Sequence, residues 1–234
     1  MRNAKRSWVA KIVLLVSAWV ALVASVQALS ADEPPRLLLA ETVRSDTDVT
    51  RYLVSEKLDG VRAVWDGRVL RFRSGRVVNA PAWFVAGLPP EPLDGELWLG
   101  RGRFEDLSGI VRRREPRDDD WRPVRFMVFE QPGGEGSFTE RIARLQSIVA
   151  PAGVPLLAVV EQFRVADRPA LQAKLDEVVA GGGEGLMLHL ADAPYLQPYD
   201  FPAISGQAAP IEAAASMAAT VSGMLGIIAA TRSP

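Results

Sequence analysis

Lysine, aspartate, glycine and arginine follow at short spacing in Glu56-Lys57-Leu58-Asp59-Gly60-Val61-Arg62, a polar turn set between two apolar runs. A lysine there has one chemistry that arginine lacks: it sheds a proton and attacks an electrophile, whereas a guanidinium stays charged at physiological pH. After Lys11 the chain has only two lysines, Lys57 and Lys174, amid many arginines, so position 57 reads as one that wants an amine. An unperturbed lysine, with a pKa of about 10.4, is neutral in roughly one molecule in a few thousand at pH 7, so a lysine nucleophile needs burial or a cationic neighbour. Arg62 is the cation that this spacing offers. The same residues also describe a surface lysine beside a tight Asp-Gly turn, and the spacing alone leaves both readings open.

The elements around the turn read as a mixed, α+β fold. Residues 52–55 predict a short strand, and residues 61–65, Asp66-Gly67 and 69–72 predict a hairpin closed by a two-residue turn. Further strands are expected at 124–129, 156–163 and 185–190. In residues 139–149 the apolar Ile142, Leu145 and Val149 share one helical face; in 169–180, Leu171, Leu175, Val178 and Val179 do so. Pro169 near the start of the second helix and Gly181-Gly182-Gly183 past its end are start and stop signals. Because hairpin turns join the first strands and no β-α-β alternation dominates, antiparallel pairing with interleaved helices is expected.

The first residues stand apart from this pattern. Arg2, Lys5, Arg6 and Lys11 precede an apolar run at 12–26, and Val26-Gln27-Ala28 has the small-x-small form of a cleavage site. That is the layout of a secretory signal peptide, residues 1–28, removed after Ala28; a membrane anchor is the alternative. Removing its four basic residues from the 27 leaves 23 against 28 acidic ones, a net charge of −5. Any nucleic-acid footprint is then local, and the candidate stripe holds Arg101, Arg103, Arg112, Arg113, Arg114, Arg122 and Arg125. A solvated face balanced by Asp118, Asp119 and Asp120 is the other reading of that stripe. The absence of cysteine excludes disulfides and thiolate metal sites.

Downstream of the lysine turn come Arg73-Ser74-Gly75, Leu93-Asp94-Gly95-Glu96-Leu97, Phe126-Met127-Val128-Phe129-Glu130 and Glu184-Gly185-Leu186-Met187. In this order and spacing the chain closely resembles the nucleotidyltransferase domain of ATP-dependent DNA ligases, in particular the minimal bacterial type with a periplasmic leader. The resemblance spans roughly residues 35–195. It implies an antiparallel-sheet adenylation domain of the ATP-grasp-like DNA ligase type, acting as a monomer in the periplasm on ATP and nicked duplex DNA, with work in DNA repair, replication and recombination. By the same resemblance Lys57 attacks the α-phosphate of ATP, Glu184 binds Mg²⁺ or Mn²⁺, Glu96 holds the ribose and Glu56 contacts the adenine edge. Phe129 is the ring expected to stack on adenine, although Phe126 lies on the same strand. Arg62 would hold the nucleotide or the nick 5′-phosphate, and Arg73, Arg112 and Arg113 would meet the DNA backbone. Glu130 replaces the family's usual aspartate. His189, the lone histidine, reads as structural.

The resemblance stops after Tyr195. The family continues to a Lys-x-Lys strand and an OB-fold, and the 39 residues at 196–234 have neither pattern. The domain is therefore expected at 29–195, followed by a poorly ordered Ala/Pro-rich tail in which a weak helix at 211–228 is conceivable, or a membrane association. A truncation or frame change near Leu196, with impaired sealing, is the matching expectation. An RNA ligase or capping-type transferase, and a non-catalytic nucleotide- or DNA-binding remnant, are the competing functional readings.

Overall fold

The computed structural model describes residues 41–195 and 227–230. The expected leader, its cleavage site and most of the expected tail lie outside these residues. Among the described residues no helix is long and apolar enough to cross a membrane, and no OB barrel is present.

Among the described residues nine strands form two sheets. Strands β1 (Glu41–Thr42), β2 (Tyr52–Lys57), β8 (Gly185–Leu190) and β9 (Ile227–Ala230) make the first, in the order β1-β9-β8-β2. Strands β3 (Val61–Trp65), β4 (Leu70–Phe72), β5 (Leu93–Trp98), β6 (Arg125–Glu130) and β7 (Leu157–Val159) make the second, in the order β4-β3-β5-β6-β7. Helices α1 (Ala82–Ala86), α2 (Phe104–Val111), α3 (Asp118–Trp121) and α4 (Phe138–Ala152) accompany the second sheet, and α5 (Arg168–Ala180) packs on the first.

Most pairings are antiparallel, as expected, but β6 and β7 run parallel through the crossover helix α4, and β1 pairs parallel with β9. The strand expected at 156–163 is cut to Leu157–Val159, with Phe163 making a single bridge to Val54. Strand β5 was not expected as a strand, because Asp94, Gly95 and Glu96 break the apolar pattern that marks one. Residues 227–230 are a strand, not the end of a small-residue helix or a structureless tail.

Local chemistry sets the boundaries. Asp66 accepts from the backbone N–H groups of Arg68 and Val69 at 2.9 and 2.7 Å, closing the β3–β4 hairpin. Ser137 and Glu140 form a reciprocal capping box at the start of α4, and Asp167 caps α5 ahead of Pro169. The core lies between the second sheet and its helices: Phe126, Leu97, Leu107, Trp121, Phe138 and Leu145 are each fully buried. A smaller cluster of Val54, Leu186 and Leu188 packs under Leu171, Leu175 and Val178 of α5.

Candidate active site

Pairing of β2 with β8 builds one wall of a cleft. The register sets Lys57 opposite Gly185, Ser55 opposite Met187 and Leu53 opposite His189, and directly opposed residues in an antiparallel pair share a face. Val54, Leu186 and Leu188 therefore turn to α5, while Lys57, Met187 and His189 line the cleft. Glu184, the residue before β8, lands beside the end of β2, where its carboxylate forms an ion pair with the Lys57 ammonium. Both side chains are partly exposed.

The opposite wall comes from β3, β5 and β6. Arg62 stands opposite Glu96, and a register shift between Asp94 and Gly95 leaves Phe129 as the extra residue of a bulge in β6. Phe126 and Val128 point into the core, so Phe129 and Met127 fall on the other face, and Phe129 lines the cleft. A Cβ at Gly95 would sit 2.5 Å from the Met127 carbonyl oxygen, and one at Gly60 would sit 2.4 Å from that of Leu97. These two close approaches are why the lysine turn and the Asp-Gly-Glu string each contain glycine.

The cavity between the walls measures ≈ 280 Å³, and its lining includes Lys57, Arg62, Glu96, Phe129, Glu184 and Met187. Phe129 on one wall and Met187 on the other suit a flat aromatic ligand. Met187 was overlooked in the sequence, although the period of two from Gly185 puts it on the face of the lysine. Burial pushes the Glu96 carboxyl up to about 8, with Arg62 and Lys57 pulling it down and Asp94 and Asp59 opposing them. In its protonated form the carboxyl has a hydrogen-bond donor to offer as well as an acceptor.

Two buried ion pairs support the floor, and sequence inspection showed neither. Arg62 donates from Nε and Nη2 to Asp94 at 3.0 and 2.7 Å, with its guanidinium 5.4 Å from the centre of the Phe129 ring. Arg62, expected to hold a phosphate, lines the cavity, and its fork meets Asp94, an aspartate 1% exposed that needs a charged partner. Arg141 donates to both oxygens of Glu130 at 2.7 and 2.8 Å and to the carbonyls of Gly136 and Ala193. Glu130, one methylene longer than aspartate, thereby reaches a structural arginine on α4.

The remaining expectations divide. Glu56, expected at the adenine edge, lines the cavity, and Arg101 donates to both of its carboxylate oxygens. His189 stacks on Phe138 at 4.1 Å with both ring nitrogens buried and unpartnered, and burial pushes its pKa down to about 3, so the ring is neutral and structural. Arg73, Arg112 and Arg113 are exposed and do not line the cavity. Arg113 is paired with Asp120 at 2.7 Å, the balanced arrangement that the aspartate run offered. Among the described residues no group of three or more His, Cys, Asp or Glu side chains could hold a metal. One cleft carboxylate still fits a hard divalent cation, since Mg²⁺ is commonly held by one or two carboxylates together with substrate phosphates.

No family model matches the chain. A DNA ligase of Haemophilus influenzae is 34% identical over 159 residues, which are 68% of this chain and 58% of that protein. The chain thus spans less than two thirds of that curated relative. A solved structure from a structure-function analysis of Lig E DNA ligases aligns at 36% identity with a TM-score of 0.69, covering 85% of this chain and 69% of that one. A Chlorella virus DNA ligase-adenylate aligns with a TM-score of 0.60 at 14% identity, covering 85% and 68%, a likeness of fold. The two-sheet cleft is accordingly an adenylation domain of the nucleotidyltransferase class. Within that class the chain belongs to the DNA ligases.

Proposed function

We propose that this chain forms a covalent lysyl-AMP at Lys57 from ATP and passes the nucleotide to nicked duplex DNA. The observation that carries the reading is the placement of Lys57 in a cavity walled by Phe129 and Met187, with Glu184 in contact and Glu96 opposite. Adenine enters between Phe129 and Met187, and protonated Glu96 donates to a ribose oxygen. The amine must lose both a proton and its contact with Glu184 before it attacks. Its lone pair then forms the P–N bond at the α-phosphorus, the bond to the bridging oxygen breaks, and pyrophosphate leaves. A divalent cation such as Mg²⁺ or Mn²⁺, held by Glu184 and phosphate oxygens, supplies charge neutralisation when bound.

In the second step an oxygen of the nick 5′-phosphate attacks the same phosphorus and Lys57 departs as the amine. In the third, the 3′-hydroxyl attacks the activated 5′-phosphate, the strand is joined and AMP is released. Arg73 and Arg112, exposed and without an ion-pair partner among the described residues, are the cations available for DNA phosphates. The composition of residues 1–28 supports export to the periplasm, and a repair role there follows from that placement and the substrate. Incubation with α-labelled ATP tests the reading: label should remain on the denatured wild-type chain and be absent from Lys57→Ala and Lys57→Arg. Label retained by the arginine variant would move the nucleophile elsewhere.

A further inference from the structure

Arg101 stands in the loop between β5 and α2, flanked by Gly100 and Gly102 with φ angles of 119° and 67°. Its guanidinium crosses from this loop to the first sheet. Nε and Nη2 donate to the two carboxylate oxygens of Glu56 at 2.7 and 2.8 Å, and Nη1 donates to the Gly181 carbonyl at 3.1 Å. One planar group thereby joins segments 45 and 80 residues away along the chain. Glu56 immediately precedes Lys57, and Gly181 opens the turn that ends at Glu184. The packing of that turn fits the same contact. A Cβ at Gly181 would lie 2.5 Å from Arg101 Nη1, and one at Gly183 would lie 3.0 Å from Glu56 Oε1. A helix stop signal accounts for one glycine after α5; at the third a Cβ would meet Val178 Cγ1 at 2.5 Å as well as Glu56, so close packing on α5 and on the pair both bear on it.

We propose that Arg101 is a positioning residue, a latch that holds the strand end bearing Lys57 and the turn bearing Glu184 in fixed relation to the β5 side of the cleft. The proposal rests on the adenylation reading above. Magnitudes separate it from a merely structural role. A partly exposed ion pair contributes about 0–1 kcal/mol to folding, whereas a displacement of about 1 Å between reacting groups costs up to roughly 100-fold in rate. The latch therefore matters little for stability and much for the chemical step. Lysine cannot replace it, because a single ammonium does not span two carboxylate oxygens and a carbonyl in one plane.

The test is single-turnover lysyl-AMP formation over a range of ATP concentrations, with amide exchange of the turn at 181–185 measured on the same proteins. Arg101→Ala and Arg101→Lys should each lower the rate at saturating ATP by about tenfold, with the half-saturating concentration changed by less than about threefold and the unfolding midpoint nearly constant. Gly181→Ala, which sets a methyl group against Nη1, should slow the reaction in the same manner, and Arg101→Ala should speed exchange at 181–185. Unchanged saturating rates in the Arg101 variants, or a loss confined to ATP affinity, would overturn the latch. Should the wild-type chain form no lysyl-AMP, the adenylation reading fails; the exchange data then decide the latch, which unaltered protection in Arg101→Ala refutes.

Discussion

At Glu96 a single carboxyl group carries a pH dependence. Burial holds its proton up to about pH 8, well above the ordinary carboxyl range. Because the folded-state pKa is raised, its contribution to stability is full below about 4.5 and is lost as pH rises from there through about 8. Ionisation also removes the hydrogen that the group offers to a ribose. ATP affinity of the wild-type chain should therefore weaken as pH passes 8, while Glu96→Gln, which keeps a donor without a titratable proton, should bind ATP evenly from pH 6 to 9. Titration calorimetry at several pH values checks this, and parallel profiles for both proteins would refute it. Two aromatic rings in one strand separate along similar lines. Phe126 is fully buried in the core, so Phe126→Ala should cost about 3–5 kcal/mol in denaturant unfolding. Phe129→Ala should cost much less stability and instead weaken ATP binding, since the ring faces the cavity.

Among the elements, the strand pair β5–β6 carries the most exacting demands. Its bulge turns Phe129 toward the cleft, and one end of it holds the register partners Asp94 and Glu130, both nearly inaccessible and each clasped by an arginine from another element. Replacing Glu130 by Ala leaves the Arg141 guanidinium buried without a carboxylate, and a loss of about 3–5 kcal/mol is expected from unfolding titrations. Glu184→Ala makes the contrast. Its side chain is 39% exposed beside Lys57, so the fold should lose less than about 1 kcal/mol while metal-dependent lysyl-AMP formation disappears. A normal Mg²⁺ titration for that variant would show the site to be elsewhere.

For the molecule as a whole, the cleft is the meeting of two sheets, and the arginines proposed for DNA lie outside it. Phosphate contacts give affinity that falls with salt in proportion to the number of charges neutralised. Arg73→Ala should reduce the salt slope of nicked-duplex binding by about one and leave lysyl-AMP formation unchanged. Arg113→Ala should change the slope less, because Asp120 already neutralises that guanidinium. Filter binding across a salt series distinguishes them, and equal slopes for the two variants would remove Arg73 from the interface.

Much of the cleft could be read from the residues themselves. Lys57 stood out because lysine is scarce here and because only an amine performs its chemistry, and Glu184 and Glu96 followed from strings whose order is specific. Strand alternation and helical periodicity, both local properties of the backbone, foretold β8 and the helices α4 and α5 that precede it. What tertiary structure alone decided are relations between distant residues. Arg62 with Asp94, Arg141 with Glu130 and Arg101 with Glu56 join positions 32, 11 and 45 apart. Arginine and carboxylate side chains carry no mark of their partner, and burial, which makes such pairing obligatory, exists only once the sheets have closed. The choice of Phe129 over Phe126 has the same origin: both suit a strand, and only the bulge opposite Asp94 and Gly95 determines which ring faces the cleft and which the core.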